Sequence, residues 1–175
     1  MRARYDLAHV DRGLKDFQRD TVDYAFRRLY VDEDLTSRFL VADEVGLGKT
    51  LVARGLIARA IEHLQDHVKR IDIVYVCSNG DIARQNITRL NVTGQDDFAF
   101  PPRITLLPTR LHELNAPDAE GRVKVNFVSF TPGTSFDMGM RGGMWSERVL
   151  LHDLLRRAWG KSALRGAGAI NVLRV

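Results

Sequence analysis

The chain of 175 residues is long enough for one domain with its own core, since single domains commonly run to about 100–200 residues. Hydrophobic residues at 45% and charged residues at 27% match globular proteins and exclude the disordered and collagen-like classes, and no run approaches the roughly 18 apolar residues of a membrane-spanning helix. The net charge of +4 suits a polyanionic partner, but ordinary soluble proteins share so small an excess.

Residues 1–6 carry positive charge with no apolar stretch behind them, so neither secretion nor membrane insertion is expected. Cys77 is the one cysteine, which excludes an internal disulfide and a thiolate zinc cage, and a reducing cytoplasm is the expected compartment. Within 141–175, six Arg and one Lys face only Glu147 and Asp153, so the positive excess lies late in the chain.

Apolar runs alternate with helix-period segments, the pattern of a parallel sheet flanked by helices, hence an α/β fold. The first helix is expected over 16–30, where Phe17, Val22, Ala25, Phe26 and Leu29 recur at helical spacing, and it is broken by Asp32, Glu33 and Asp34. Residues 38–42 read as a buried strand. A glycine loop follows and opens a helix over about 50–65, with Val52, Leu56, Ile57, Ala60, Ile61 and Leu64 inward.

A second strand is expected over 71–77, rich in β-branched residues, then a turn at Asn79 and Gly80 and a short helix over about 81–90. Two further strands are expected at 103–107 and 123–130, separated by a loop or short helix containing Pro108 and Pro117. The glycines and methionines of 133–143 read as an irregular loop. Ser146 is expected to cap a helix carrying Val149, Leu150, Leu154, Leu155 and Ala158, and 169–175 is strand-like.

The glycine loop carries the chemistry. A phosphate loop needs glycines so that backbone N–H groups can close on the anion, a lysine for the outer phosphates and a hydroxyl for magnesium. Gly46, Gly48, Lys49 and Thr50 supply these between a strand and a helix start, whose dipole also favours phosphate. The first glycine of the simple pattern is replaced by Asp43.

With that acidic pair, Asp43 and Glu44, the stretch 42–50 resembles motif I of the Swi/Snf-like branch of superfamily-two helicases. Leu14, Lys15, Asp16, Phe17 and Gln18 resemble that family's Q-motif; the resemblance implies that Gln18 reads the adenine edge, while a glutamine on an amphipathic helix also reads as a surface residue. The loop residues Glu44, Val45, Gly46, Leu47, Gly48, Lys49, Thr50 and Leu51 would then hold ATP, Thr50 would hold Mg2+, and Lys49 and Thr50 would be catalytic.

Ser78 and Asn79, after the second strand, are similar to motif Ia, and Thr131, Pro132 and Gly133 to motif Ib. The resemblance implies that Ser78, Asn79, Thr131 and Gly133 touch a nucleic-acid backbone without reading bases, DNA ahead of RNA. Both stretches also read as ordinary turns.

The resemblance implies a P-loop NTPase fold of the RecA-like type and divides the chain into a helical segment (1–35), an ATP-binding lobe (36–137) and a basic helical segment (138–175) in which no motif is recognised. Hydrolysis in that family needs an Asp-Glu pair on a later strand and arginines from a second RecA-like lobe. Asp43 and Glu44 precede the loop, and His152 and Asp153 lie in a helix-period segment, so the expectation is a chain that stops inside the first lobe, inactive alone and partnered by the missing lobe. A P-loop ATPase of the AAA type and a non-hydrolysing nucleotide module remain as alternatives.

Two weaker constellations complete the reading. His63 and His67 stand at helical spacing for a metal but lack a third ligand. Trp145 and Trp159 with Arg141, Arg148, Arg156 and Arg157 suit stacking on single-stranded bases, or core packing of an amphipathic helix.

Overall fold

The computed structural model describes residues 3–44, 46–94, 98–99, 104–131 and 144–159. In chain order these form α1 (Ala8–Arg12), α2 (Asp16–Tyr30), α3 (Lys49–Leu64), β1 (Arg70–Val76), α4 (Gly80–Leu90), β2 (Phe98–Ala99), a 3-10 segment (Ile104–Arg110), α5 (Leu111–Asn115), β3 (Lys124–Phe130) and α6 (Trp145–Trp159). The strands are parallel in the order β1-β3-β2, with Arg70 opposite Lys124 and Val76 opposite Phe130. The result is a small parallel sheet with helices on both faces, a mixed α/β architecture.

Alternation along β3 assigns the faces. Val125 and Phe127 meet Ile61 of α3 and Ile87 of α4, whereas Val128 meets Leu107 and Leu114 on the other side. On that second face the amide of buried Asn126 bonds Asp72 Oδ1 at 2.8 Å and the Leu114 carbonyl at 3.0 Å.

The N-terminal residues belong to the same core. Tyr5, Leu7 and Val10 are buried with Ile61, Ile71 and Phe127, and their backbone is fastened to α3: Tyr5 N–H donates to Gln65 Oε1 and Leu7 N–H to Glu62 Oε1, each at 2.8 Å. Arg59 of α3 bonds Asp11 of α1 at 2.9 and 3.1 Å and pairs with Asp23 of α2. Burial works against its charge, but the two carboxylates outweigh that and raise its pKa, so one guanidinium ties three helices.

Several expectations are corrected. Residues 38–42 form no strand: none of the described strands pairs with them, and Leu40 is 84% exposed. A strand needs a hydrogen-bonded neighbour as well as β-branched residues. This segment instead lies along α2, Phe39 edge-on to Tyr24 at 5.7 Å and Val41 against Leu14, Val22 and Val52.

The strand expected at 103–107 is a 3-10 segment from Ile104, with Arg103 outside the described residues. Short apolar runs carry no period that separates the two forms, and Pro108 cannot donate to a ladder. Ser146 does not cap α6, which begins at Trp145; Glu147 instead reaches back to the Met144 N–H at 2.8 Å. In α2 Gln18 faces inward with Val22 and Ala25, while Phe17 is 44% exposed. The loop expected at 133–143 and the strand expected at 169–175 lie outside the described residues.

The core assignment separates two substitutions. Ile61→Ala, at a fully buried side chain, lowers stability by about 2–5 kcal/mol. Val74→Thr, 53% exposed on β1, changes it by no more than about 0.5 kcal/mol. Urea unfolding followed by circular dichroism measures both, and equal costs contradict the assignment.

Candidate functional site

The glycine loop sits at the start of α3. Gly46 and Gly48 have φ of +92° and +83°, the left-handed region that disfavours side chains, and Gly48 is the N-cap of α3. Its carbonyl accepts from Leu51 N–H at 2.7 Å and Val52 N–H at 3.2 Å, so the helix winds directly out of the loop. Val45 lies outside the described residues.

Lys49, the first residue of α3, curls back into the loop. Its Nζ donates to the Asp43 carbonyl at 2.7 Å and the Glu44 carbonyl at 2.8 Å. A lysine at a helix start ordinarily extends into water; here the ammonium lies among the loop's own carbonyls, where an anion would meet it together with the α3 dipole. Glu44, Leu47 and Leu51 are exposed, and Thr50 is half-buried. Asp43 Oδ2 is shielded from solvent without a hydrogen-bond partner among the described residues, a cost that a cation or water would relieve.

Gln18 is 3% exposed and fixes the loop from α2. Its Oε1 accepts from Lys15 N–H at 3.0 Å, and its Nε2 donates to the Leu47 carbonyl at 3.0 Å. A Cβ on Gly48 would stand 2.6 Å from that nitrogen. In this arrangement both ends of the Gln18 amide are engaged by protein, and the side chain positions the glycine loop.

The backbone-contact candidates divide. Ser78 and Asn79 are exposed at the carboxyl end of β1, and Asn79 Oδ1 caps α4, accepting from Asp81 N–H at 2.8 Å and Ile82 N–H at 3.1 Å. That cap occupies the N–H groups of Asp81 and Ile82 at the start of the helix. Cys77 N–H donates to the Phe130 carbonyl at 3.0 Å, so Ser78 and half-buried Thr131 leave adjacent strand ends. Gly133 lies outside the described residues. Five residues reverse the chain from α3 into β1, so the glycine loop and these strand ends lie toward the same edge of the sheet, the carboxyl edge where ligands of open α/β sheets bind.

The histidine pair has ring centroids 6.2 Å apart, and His63 lies edge-on to Phe26 and tilted against Tyr30. Among the described residues no group of three His, Cys, Asp or Glu is placed to hold a metal. Trp145 is exposed, and Arg156 and Arg157 pair with Asp153. Arg141 lies outside the described residues, as does the side chain of Trp159. Comparison with protein-family models, curated proteins and solved structures finds no match to this chain.

The two glycines are separable by experiment. Gly46→Ala meets no atom within 4 Å and costs only the left-handed strain, about 1–2 kcal/mol. Gly48→Ala costs more because its methyl meets Gln18 Nε2, and the excess disappears in a Gln18→Ala background. Thermal unfolding of the four variants measures this coupling; additive costs refute the contact.

Proposed function

We propose that the loop from Glu44 to Leu51 binds the phosphates of ATP, and that the protein is a P-loop ATPase of the helicase type acting on nucleic acid, DNA ahead of RNA. The observation that carries this reading is the Lys49 ammonium folded into a two-glycine loop at the start of a helix. Backbone amides, helix dipole and ammonium then converge on one anion.

Magnesium fits the residues present. It takes one or two protein oxygens and completes its shell with phosphate and water, so Thr50 serves without a carboxylate cluster. Bound there, it would neutralise charge on the outer phosphates. Lys49 must leave the carbonyls of Asp43 and Glu44 to meet phosphate, and the space beside Gly46 is open. Gln18 holds the Leu47 carbonyl while the lysine moves.

On the same reading, nucleic acid crosses the carboxyl edge at Ser78 and Thr131, with contacts to phosphate and sugar rather than to bases. Hydrolysis on this reading requires an Asp-Glu pair and arginines from a second lobe, and it would be coupled to movement on the strand.

Isothermal titration of the intact protein with MgATP tests the reading. Lys49→Ala weakens binding about 10- to 100-fold, the worth of a charge-assisted hydrogen bond, and nucleic acid raises the turnover of the unsubstituted protein. Unchanged affinity removes the phosphate loop; nucleotide binding without nucleic-acid stimulation removes the helicase assignment alone.

A further inference from the structure

Among the described strands, β1 is an edge of the sheet. Because Cys77 N–H points to Phe130, strand alternation turns the N–H and C=O groups of Asp72, Val74 and Val76 away from β3, where no described strand pairs with them. Beside this edge lies a largely apolar groove of about 380 Å3, lined by Tyr30, Leu56, Ala60, Leu64 and Ile73, with Arg70 and Asp72 also in its wall. A row of open backbone groups above an apolar floor is the shape that accepts one more strand.

The handedness of the connections selects the occupant. From β1 the chain passes through α4 to β2, on the face where Ile87 of α4 meets Ile61 of α3. It returns to β3 through the 3-10 segment and α5 on the opposite face, where Leu107 and Leu114 meet Val128. Opposite directions over opposite faces give both crossovers the same hand, the right-handed one found in about 98% of parallel connections. Helix α6 follows β3 and packs against the 3-10 segment, hence on the second face. A right-handed crossover over that face would carry the chain from β3 past β1 and set a next parallel strand on the free edge.

The sequence after α6 offers a candidate with strand-like composition: Ala169, Ile170, Asn171, Val172, Leu173, Arg174 and Val175, apolar at five of seven positions. We propose that residues 169–175 dock as a fourth parallel strand on the outer edge of β1 and close the groove beside α3. The outward groups of Asp72, Val74 and Val76 then gain partners, and the leucines of α3 are covered. This site is independent of nucleotide binding.

Amide hydrogen exchange by NMR on the full chain tests the proposal. The amides of Asp72, Val74 and Val76 are expected to exchange slowly and to lose protection in Val172→Asp or Leu173→Asp. Neighbouring residues of a strand face opposite sides, so one of these substitutions meets the groove whichever way the strand lies. The amides of Ile73 and Tyr75, which face β3, keep their protection as the internal control. Fast exchange at the three outward amides in the unsubstituted chain overturns the proposal, as does protection that survives both substitutions. If the variants unfold, methyl NOEs in the unsubstituted chain decide: contacts from Leu56 and Leu64 to Val172 or Leu173 support the docking, and their absence overturns it.

Discussion

The close approach of α2 to α3 governs the geometry of the glycine loop. Residue 55 is glycine where the helices cross, and a Cβ there would stand 2.9 Å from Leu14 Cδ1 and 3.0 Å from Val22 Cγ2. With no side chain at that point, Leu14 and Val22 settle on Val52, and Gln18 comes within hydrogen-bonding distance of the Leu47 carbonyl. The loop is thus shaped from both ends, by the winding of α3 out of Gly48 and by an amide delivered from α2. Arg59, bridging Asp11 and Asp23 one turn further along α3, holds the same packing at its polar margin.

This frame gives the lysine two alternatives. Its ammonium now rests on the carbonyls of Asp43 and Glu44, which are neutral acceptors; a phosphate is charged and offers a stronger bond. A triphosphate would therefore compete for Lys49 with the protein's own backbone, and the two acidic side chains beside the loop oppose the anion until a cation joins it. On the proposed reading, nucleotide binding would depend on magnesium.

Much of the architecture was legible in the sequence because pattern and cap agreed. The 16–30 helix was bounded by an acidic run, the helix after the loop by Gly48, the helix after β1 by Asn79, and β1 was marked by β-branched residues in one stretch. Elements that depend on distant partners were not legible. Residues 38–42 have strand composition, but pairing comes from elsewhere in the fold. Tyr5, Leu7 and Val10 are single apolar residues among charges, with no period to betray that α3 buries them. For the site, the glycines and Lys49 announced themselves, whereas the Gln18 bond to Leu47 depends on how tightly two helices pack.

The central claim is that the amides and ammonium of the glycine loop receive phosphate, and a 15N-labelled protein titrated with MgATP tests it most directly. The largest shifts are expected at the backbone amides of Gly46, Gly48, Lys49 and Thr50, together with the side-chain amide of Gln18. A spectrum that does not respond, or one that responds at Ser78 and Thr131 while the loop stays still, would contradict it.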